Sequence, residues 1–167
     1  MLSSVSRREP RIAYLIKWVE RGLRMHLDIA LAPCGATTPE YTALSVLRER
    51  DGLSSAQLAR RVFVTPQAMN LIVIELERRG LVRRRPSETH GRTMRISLTA
   101  KGTACLEECD RATRPVEERF LANLSKSDAA ALRRALSTCA QALFHRAHNG
   151  ERTKAPMRGT NANIHGK

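Results

Sequence analysis

The chain of 167 residues carries 29 Lys and Arg against 16 Asp and Glu, a net charge of +13, with 42% hydrophobic and 4% aromatic residues. That length suits one domain, or a small domain with helical extensions, and the apolar content is enough for a core. The basic balance favours a polyanionic partner over a cationic one, and abundant Arg with few aromatics points to duplex DNA rather than to stacking on single strands.

No stretch approaches the run of about 18 apolar residues of a membrane span. The opening M-L-S-S-V-S-R-R-E-P lacks the apolar segment of a signal peptide, so the expected location is the cytoplasm, with no membrane partner. The four cysteines, at 34, 105, 109 and 139, fall outside any C-x-x-C spacing. They read as reduced thiols rather than a disulfide framework or a zinc ribbon.

In chain order, residues 1–9 form an N-terminal arm. Arg11 to Ala32 is a long amphipathic stretch with Ile12, Leu15, Ile16, Val19, Leu23, Leu27 and Leu31 near one side, ended by Pro33 and Gly35. Thr38-Pro39-Glu40 opens a second helix, whose Tyr41, Leu44 and Leu47 face the core before Asp51-Gly52 stops it. Leu53 is assigned to a brief strand. Ser54 and Gln57 then form a capping box for a short third helix with Leu58, Ala59 and Val62 on its apolar side.

Only Phe63 and Val64 separate that helix from the next, Thr65 to Gly80. Thr65 caps it, Pro66 suits its first turn, and Gly80 ends it. Met69, Ile72, Val73 and Leu76 recur at i, i+3, i+4 and i+7, so they form the packed stripe and turn Gln67 and Asn70 outwards. Two amphipathic helices across a tight turn outline a helix-turn-helix, although these two alone also fit an ordinary helical hairpin. The residues after Gly80 favour the helix-turn-helix. Leu81–Arg85 and Met94–Leu98 read as two short strands around a loop at 86–93, which makes a wing. Residues 51–100 contain nine Arg against four acids, where phosphate contacts would need them.

After the wing, Thr99 caps a long helix through Cys105 and Cys109 towards Phe120 and Leu124, with Pro115 as its kink. Ser125 and Asp128 form a capping box for a last helix, Asp128 to about His145, with Ala131, Leu132, Ala135, Leu136, Cys139 and Leu143 apolar. The flanking helices hold more apolar surface than a small winged module can bury, so a second chain is the natural cover. From His148 the composition turns polar, and residues 148–167 read as a disordered basic tail whose Arg152, Lys154, Arg158 and Lys167 either add non-specific attraction or do nothing. The fold class expected is mainly α with a small β-wing: a winged helix-turn-helix at 37–98 flanked by N- and C-terminal dimerisation helices at 10–36 and 99–147.

This order resembles the MarR family of bacterial transcription regulators. The resemblance is carried by L-A-R-R-V-F-V-T-P-Q-A-M-N at 58–70, L-E-R-R-G-L-V-R-R at 76–84 and R-I-S-L-T-A-K-G at 95–102, and covers roughly residues 10–146. It implies a homodimer that binds an inverted-repeat operator in double-stranded DNA, represses a neighbouring gene, and is released by a small aromatic or phenolic effector. It also implies a ligand pocket where the dimerisation helices meet the winged module, with Trp18, His26 and Tyr41 as candidates. Two departures stand out. The wing tip reads His90-Gly91-Arg92 where most members have an Asp that steadies the arginine, and Leu71 stands where many members have Arg.

The DNA-contacting set expected is Ser54, Thr65, Gln67, Ala68, Asn70, Leu71, Arg84 and Arg92. Gln67 and Asn70 suit paired hydrogen bonds to adenine, Leu71 a thymine methyl, and Arg92 the minor groove. Cys34 is the one candidate redox thiol, but with no basic neighbour in sequence it also reads as a small apolar residue. Cys105 and Cys109 share a helix face and read as a packed pair. There is no Gly-rich phosphate loop and no H-E-x-x-H, so neither an enzyme, a cofactor nor a metal is expected. Alternatives to the ligand-responsive regulator are a thiol redox sensor on the same scaffold and an architectural protein that coats DNA without sequence preference.

Overall fold

Capping side chains set most of the element boundaries. The computed structural model describes residues 9–87 and 93–149, which form α1 (Ile12–Leu31), a 3-10 turn (Ala32–Cys34), α2 (Thr38–Glu49), α3 (Ser55–Val62), α4 (Pro66–Arg78), β1 (Val82–Pro86), β2 (Met94–Leu98), α5 (Ala100–Leu121) and α6 (Lys126–Asn149). Thr37, Ser54, Thr65 and Thr99 each accept a backbone N–H at the start of the following helix, and the first two complete capping boxes with Glu40 and Gln57. The chain divides into two units after Ala122.

In the first unit the stripes predicted for α2, α3 and α4 converge. Leu44, Leu47, Leu58, Met69, Val73 and Leu76 are buried in one cluster with Leu81, Val82, Ile96 and Leu106. Each such side chain is worth about 1.5–3 kcal/mol when fully removed from water. Phe63 makes the turn between α3 and α4 at φ 59°, a left-handed conformation rare outside glycine. β1 and β2 pair antiparallel, Val82 with Leu98, Arg84 with Ile96 and Pro86 with Met94.

Several boundaries differ from the sequence expectation, for local reasons. The first strand begins at Val82 rather than Leu81, because the Leu81 N–H closes the left-handed turn after α4 by donating to Leu76 O at 2.8 Å. It also includes Pro86, which a free strand edge tolerates. The strand expected at Leu53 is reduced to one bridge, to Ile96. α5 ends at Leu121, short of Leu124, and Pro115 lies inside it. α6 starts at Lys126, not Asp128, since Ser125 caps it by accepting from Asp128 N at 3.1 Å. It runs on through Asn149, past the expected start of the tail.

α5 meets the winged module closely. Thr99 Oγ1 donates to Gly80 O at 2.7 Å, and Thr99 N donates to Leu81 O at 3.1 Å. Farther along, Asp110 accepts from Tyr41 Oη at 2.9 Å and from Arg48 Nη1 at 2.5 Å, which ties α2 to α5. Burial pushes the Tyr41 hydroxyl above its usual pKa. By contrast, the apolar side of α1 is largely uncovered: Ile12 is 75% exposed, Ile16 48% and Val19 41%. On α6, considered by itself, Leu136 and Leu143 are exposed.

Candidate nucleic-acid interface

α4 presents one face to the core and the other to solvent. Gln67 and Asn70 are exposed, as the periodicity predicts, and Leu71 is 68% exposed beside them. An amide pair next to an uncovered isobutyl group can hydrogen-bond a base edge and touch a thymine methyl. Thr65 Oγ1 accepts from Ala68 N at 3.1 Å, and Ser54 Oγ accepts from Gln57 N at 3.3 Å. Each hydroxyl therefore keeps its own O–H to donate to a phosphate oxygen.

The wing sorts its arginines by strand alternation. Arg83 and Arg85 are exposed and pair across the ribbon with Ser97 and Arg95. Arg85 opposite Arg95 is a like-charge pair, which costs stability until an anion sits beside it. Arg95 is partly held, donating to Gly52 O at 2.9 Å and Ser87 Oγ at 3.2 Å. Arg84 departs from the expectation that it reaches DNA. Its Nε donates to Glu77 Oε2 at 2.8 Å, and its backbone N–H donates to Glu77 Oε1 at 3.2 Å. The side chain on the opposite pleat from Arg83 and Arg85 is thus a strap between α4 and the wing. The Arg84 guanidinium holds the Glu77 carboxyl below its usual pKa. A Glu on the last turn of a helix, seven residues before an Arg, was the available signal. Arg92, with its neighbours Glu88 to Gly91, lies outside the described residues.

The three candidate ligand residues are not brought together. Trp18 is 67% exposed and lies beside Tyr14, ring centroids 6.3 Å apart. Tyr41 is committed to Asp110 and receives the Thr113 hydroxyl at 3.4 Å. His26 lines a cavity of about 420 Å³ between α1 and α5, with Val19, Leu23, Val116, Arg119 and Phe120, and neither Trp18 nor Tyr41 is in its lining. Arg119 and Phe120 escape sequence reasoning because nothing local marks a cation and a ring on α5 as facing α1. Cys34 sits half-buried in the 3-10 turn. Among the described residues, no group of three or more His, Cys, Asp or Glu is arranged to hold a metal ion, and no helix is long and apolar enough to cross a membrane.

Comparison with known proteins places this geometry. A family model described as MarR family matches residues 35–93. The HTH-type transcriptional repressor Rv2887 of Mycobacterium tuberculosis is 41% identical over 114 residues, 68% of this chain and 82% of that protein. A crystal structure of the M. tuberculosis MarR family protein Rv2887 in complex with salicylic acid superposes with a TM-score of 0.67 at 37% identity, covering 79% of this chain and 98% of the other. A crystal structure of the same protein in complex with DNA gives 0.65 at 34%, covering 78% and 98%.

Proposed function

The chain belongs to the MarR family of DNA-binding transcription regulators, and from that premise we propose that it acts as a homodimeric repressor, released from an inverted-repeat operator by a small aromatic ligand. The observation that carries this reading is α4: its core face is buried, while Gln67, Asn70 and Leu71 are exposed next to a ribbon on which Arg83 and Arg85 are exposed. Asn70 and Gln67 specify bases. Ser54, Thr65, Ala68, Arg83 and Arg85 position the module on phosphate. Arg92 reaches the neighbouring minor groove.

Dimerisation follows from the uncovered apolar side of α1, which a second copy would bury. Two such modules about a two-fold axis address half-sites about 10 base pairs apart. The protein works where the DNA is, in the cytoplasm of a bacterial cell.

The effector fits the α1–α5 cavity best. Its walls are Val19, Leu23, Val116 and Phe120, and its polar groups are Arg119 and His26. Apolar walls with one cation suit an aromatic ring carrying an acidic group. The relative crystallised with salicylic acid supports that class of ligand.

Selection of bound fragments from random duplex DNA tests the reading. The expected product is an inverted repeat, bound by the dimer and released by salicylate. Recovery of unrelated sequences with equal affinity would instead make the chain a non-specific DNA-coating protein.

A further inference from the structure

The outward side of α4 is one continuous stripe whose middle is apolar. Gln67, Asn70, Leu71, Ile74 and Arg78 recur at helical spacing, and all are exposed, opposite the buried Met69, Val73 and Leu76. Ile74 is 45% exposed and lies one turn after Leu71, about 4.5 Å along the helix axis. That rise is comparable with the step of about 3.4 Å between successive base pairs. Single exposed aliphatic side chains are ordinary, but these two adjoin on the face that also carries the amides. Their surroundings are cationic, with Arg83 and Arg85 exposed on the neighbouring ribbon and nine Arg against four acids in residues 51–100. Such a surface draws a polyanion rather than an apolar protein face.

Arg78, the only cation in the α4 sequence, closes the stripe at its far end. Its Nε donates to Glu75 Oε2 at 2.8 Å and its Nη2 to Glu75 Oε1 at 2.7 Å, so its fork is turned onto its own helix. It also stands about three turns beyond Gln67, whereas the first turns of a recognition helix meet the base edges. Guanine is read in the major groove chiefly by the paired donors of Arg or Lys. α4 therefore brings two amides and two aliphatic side chains to the bases, and no guanine reader. Amides pair best with adenine N6 and N7, and the C5-methyl of thymine is the one apolar group on a major-groove edge. Over a G·C pair, Leu71 and Ile74 would cover polar atoms and return no hydrogen bond, which counts against that pair.

We propose that α4 reads a block of A·T pairs in each half-site, and that Leu71 and Ile74 together recognise the C5-methyl groups of two neighbouring pyrimidines. This rests on the proposed regulator function and names the class of DNA sequence it takes. What the pair recognises is the methyl group and not the rest of the base, so a cytosine methylated at C5 satisfies it where a plain cytosine does not.

The experiment uses the 167-residue chain and the duplex obtained by selection. Each thymine of a half-site is exchanged in turn for deoxyuridine, which deletes the methyl group and leaves base pairing and every polar atom in place, and affinity is read by fluorescence anisotropy. The expected result is two adjacent pyrimidine positions per half-site at which uracil weakens binding about fourfold each, the worth of one buried CH2 group. Leu71→Ala should abolish the effect at one of them and Ile74→Ala at the other, with unchanged melting temperatures because both side chains face solvent. A C·G pair at the Leu71 position should bind more weakly still, and C5 methylation of that cytosine should recover about fourfold. Uracil tolerated at every thymine, a methyl effect that survives both variants, or a G·C block at the centre of the selected half-sites overturns the proposal. An ordered inverted repeat that is indifferent to uracil removes the methyl reading and keeps the regulator, whereas selection of no preferred sequence strikes at the regulator reading itself.

Discussion

Gly102 is the residue most tightly required by the joint between the wing and α5, and Gly102→Ala should be strongly destabilising. A Cβ built there lies 1.9 Å from Leu81 O and 2.9 Å from Leu81 C, both backbone atoms that no rotamer change can move. Ordinary contact begins near 3.4 Å, so the helix and the turn must part by about 1.5 Å. That separation removes the hydrogen bonds to Leu81 O from Thr99 N at 3.1 Å and Thr99 Oγ1 at 3.2 Å. Lost hydrogen bonds that strand a buried carbonyl cost about 1–3 kcal/mol, and overpacking costs a similar amount. Better helix propensity returns only about 1 kcal/mol. A net loss of about 2–4 kcal/mol should lower the melting temperature by roughly 5–15 °C. Thermal denaturation by circular dichroism, at one fixed protein concentration, measures it. Gly22→Ala is the matched control: it is also helical, its Cβ meets nothing within 4 Å, and it should stabilise by about 0.5–1 kcal/mol. If Gly102→Ala melts at or above the wild type, the close approach to Leu81 is not what the glycine is for.

Asn70→Ala should cost about 1–3 kcal/mol at the selected operator and little on random duplex, in parallel anisotropy titrations; equal losses on both would make Asn70 a phosphate contact. The Glu77–Arg84 strap should fail in acid. Because the folded pKa of Glu77 lies below its ordinary value of 4.5, this contribution is present above that pH and lost as pH falls through the depressed value. Accordingly, the stability difference between wild type and Glu77→Gln, followed by urea denaturation, should shrink at low pH, and a constant difference would remove the strap from the account. Arg119→Gln should weaken release of the operator by salicylate about tenfold with DNA affinity unchanged, since only the ligand's acidic group loses its partner; unaltered release would place the effector elsewhere.

Legibility in the sequence followed the range of the interaction that decides each feature. The helices carry their own signals: Ser54 with Gln57, Thr65 before Pro66, and Thr99 before a glycine three residues on are all local, and all three caps form. The outward face of α4 was readable for the same reason, because a 3.6-residue period assigns Gln67 and Asn70 once Met69, Val73 and Leu76 are buried. Partners distant in sequence were not readable. Arg84 reads in the sequence as a DNA-contacting cation of the wing, whereas the pleat turns it towards Glu77. Tyr41 looked like a pocket wall, yet Asp110, 69 residues away, takes its hydroxyl. Cys34 seemed isolated because Cys109 reaches it only through the packing of the turn on α5.

These long-range pairs share a location, and that location bears on how a ligand signal can reach DNA. Leu81 against Gly102, and Asp110 against Tyr41 and Arg48, fasten the winged module to α5, while Glu40 against Arg79 at 3.5 Å ties α2 to the end of α4 within it. Glu40 is a buried acid that also accepts from Thr37 N at 2.7 Å, so its link to Arg79 is costly to break. With the module fastened to α5 at two places and α2 tied to α4 within it, a ligand between α1 and α5 has little scope to reshape α4 itself. What it can alter is the angle at which α1 leaves α5, and with it the way a second copy sits on the exposed side of α1. On the proposed reading as a ligand-released dimer, release works through the spacing of two intact reading heads, and a ligand acts only as far as it binds the two spacings with different affinity. The 3-10 turn that follows α1, with Cys34 at its far end, is the segment through which such a change of angle must pass.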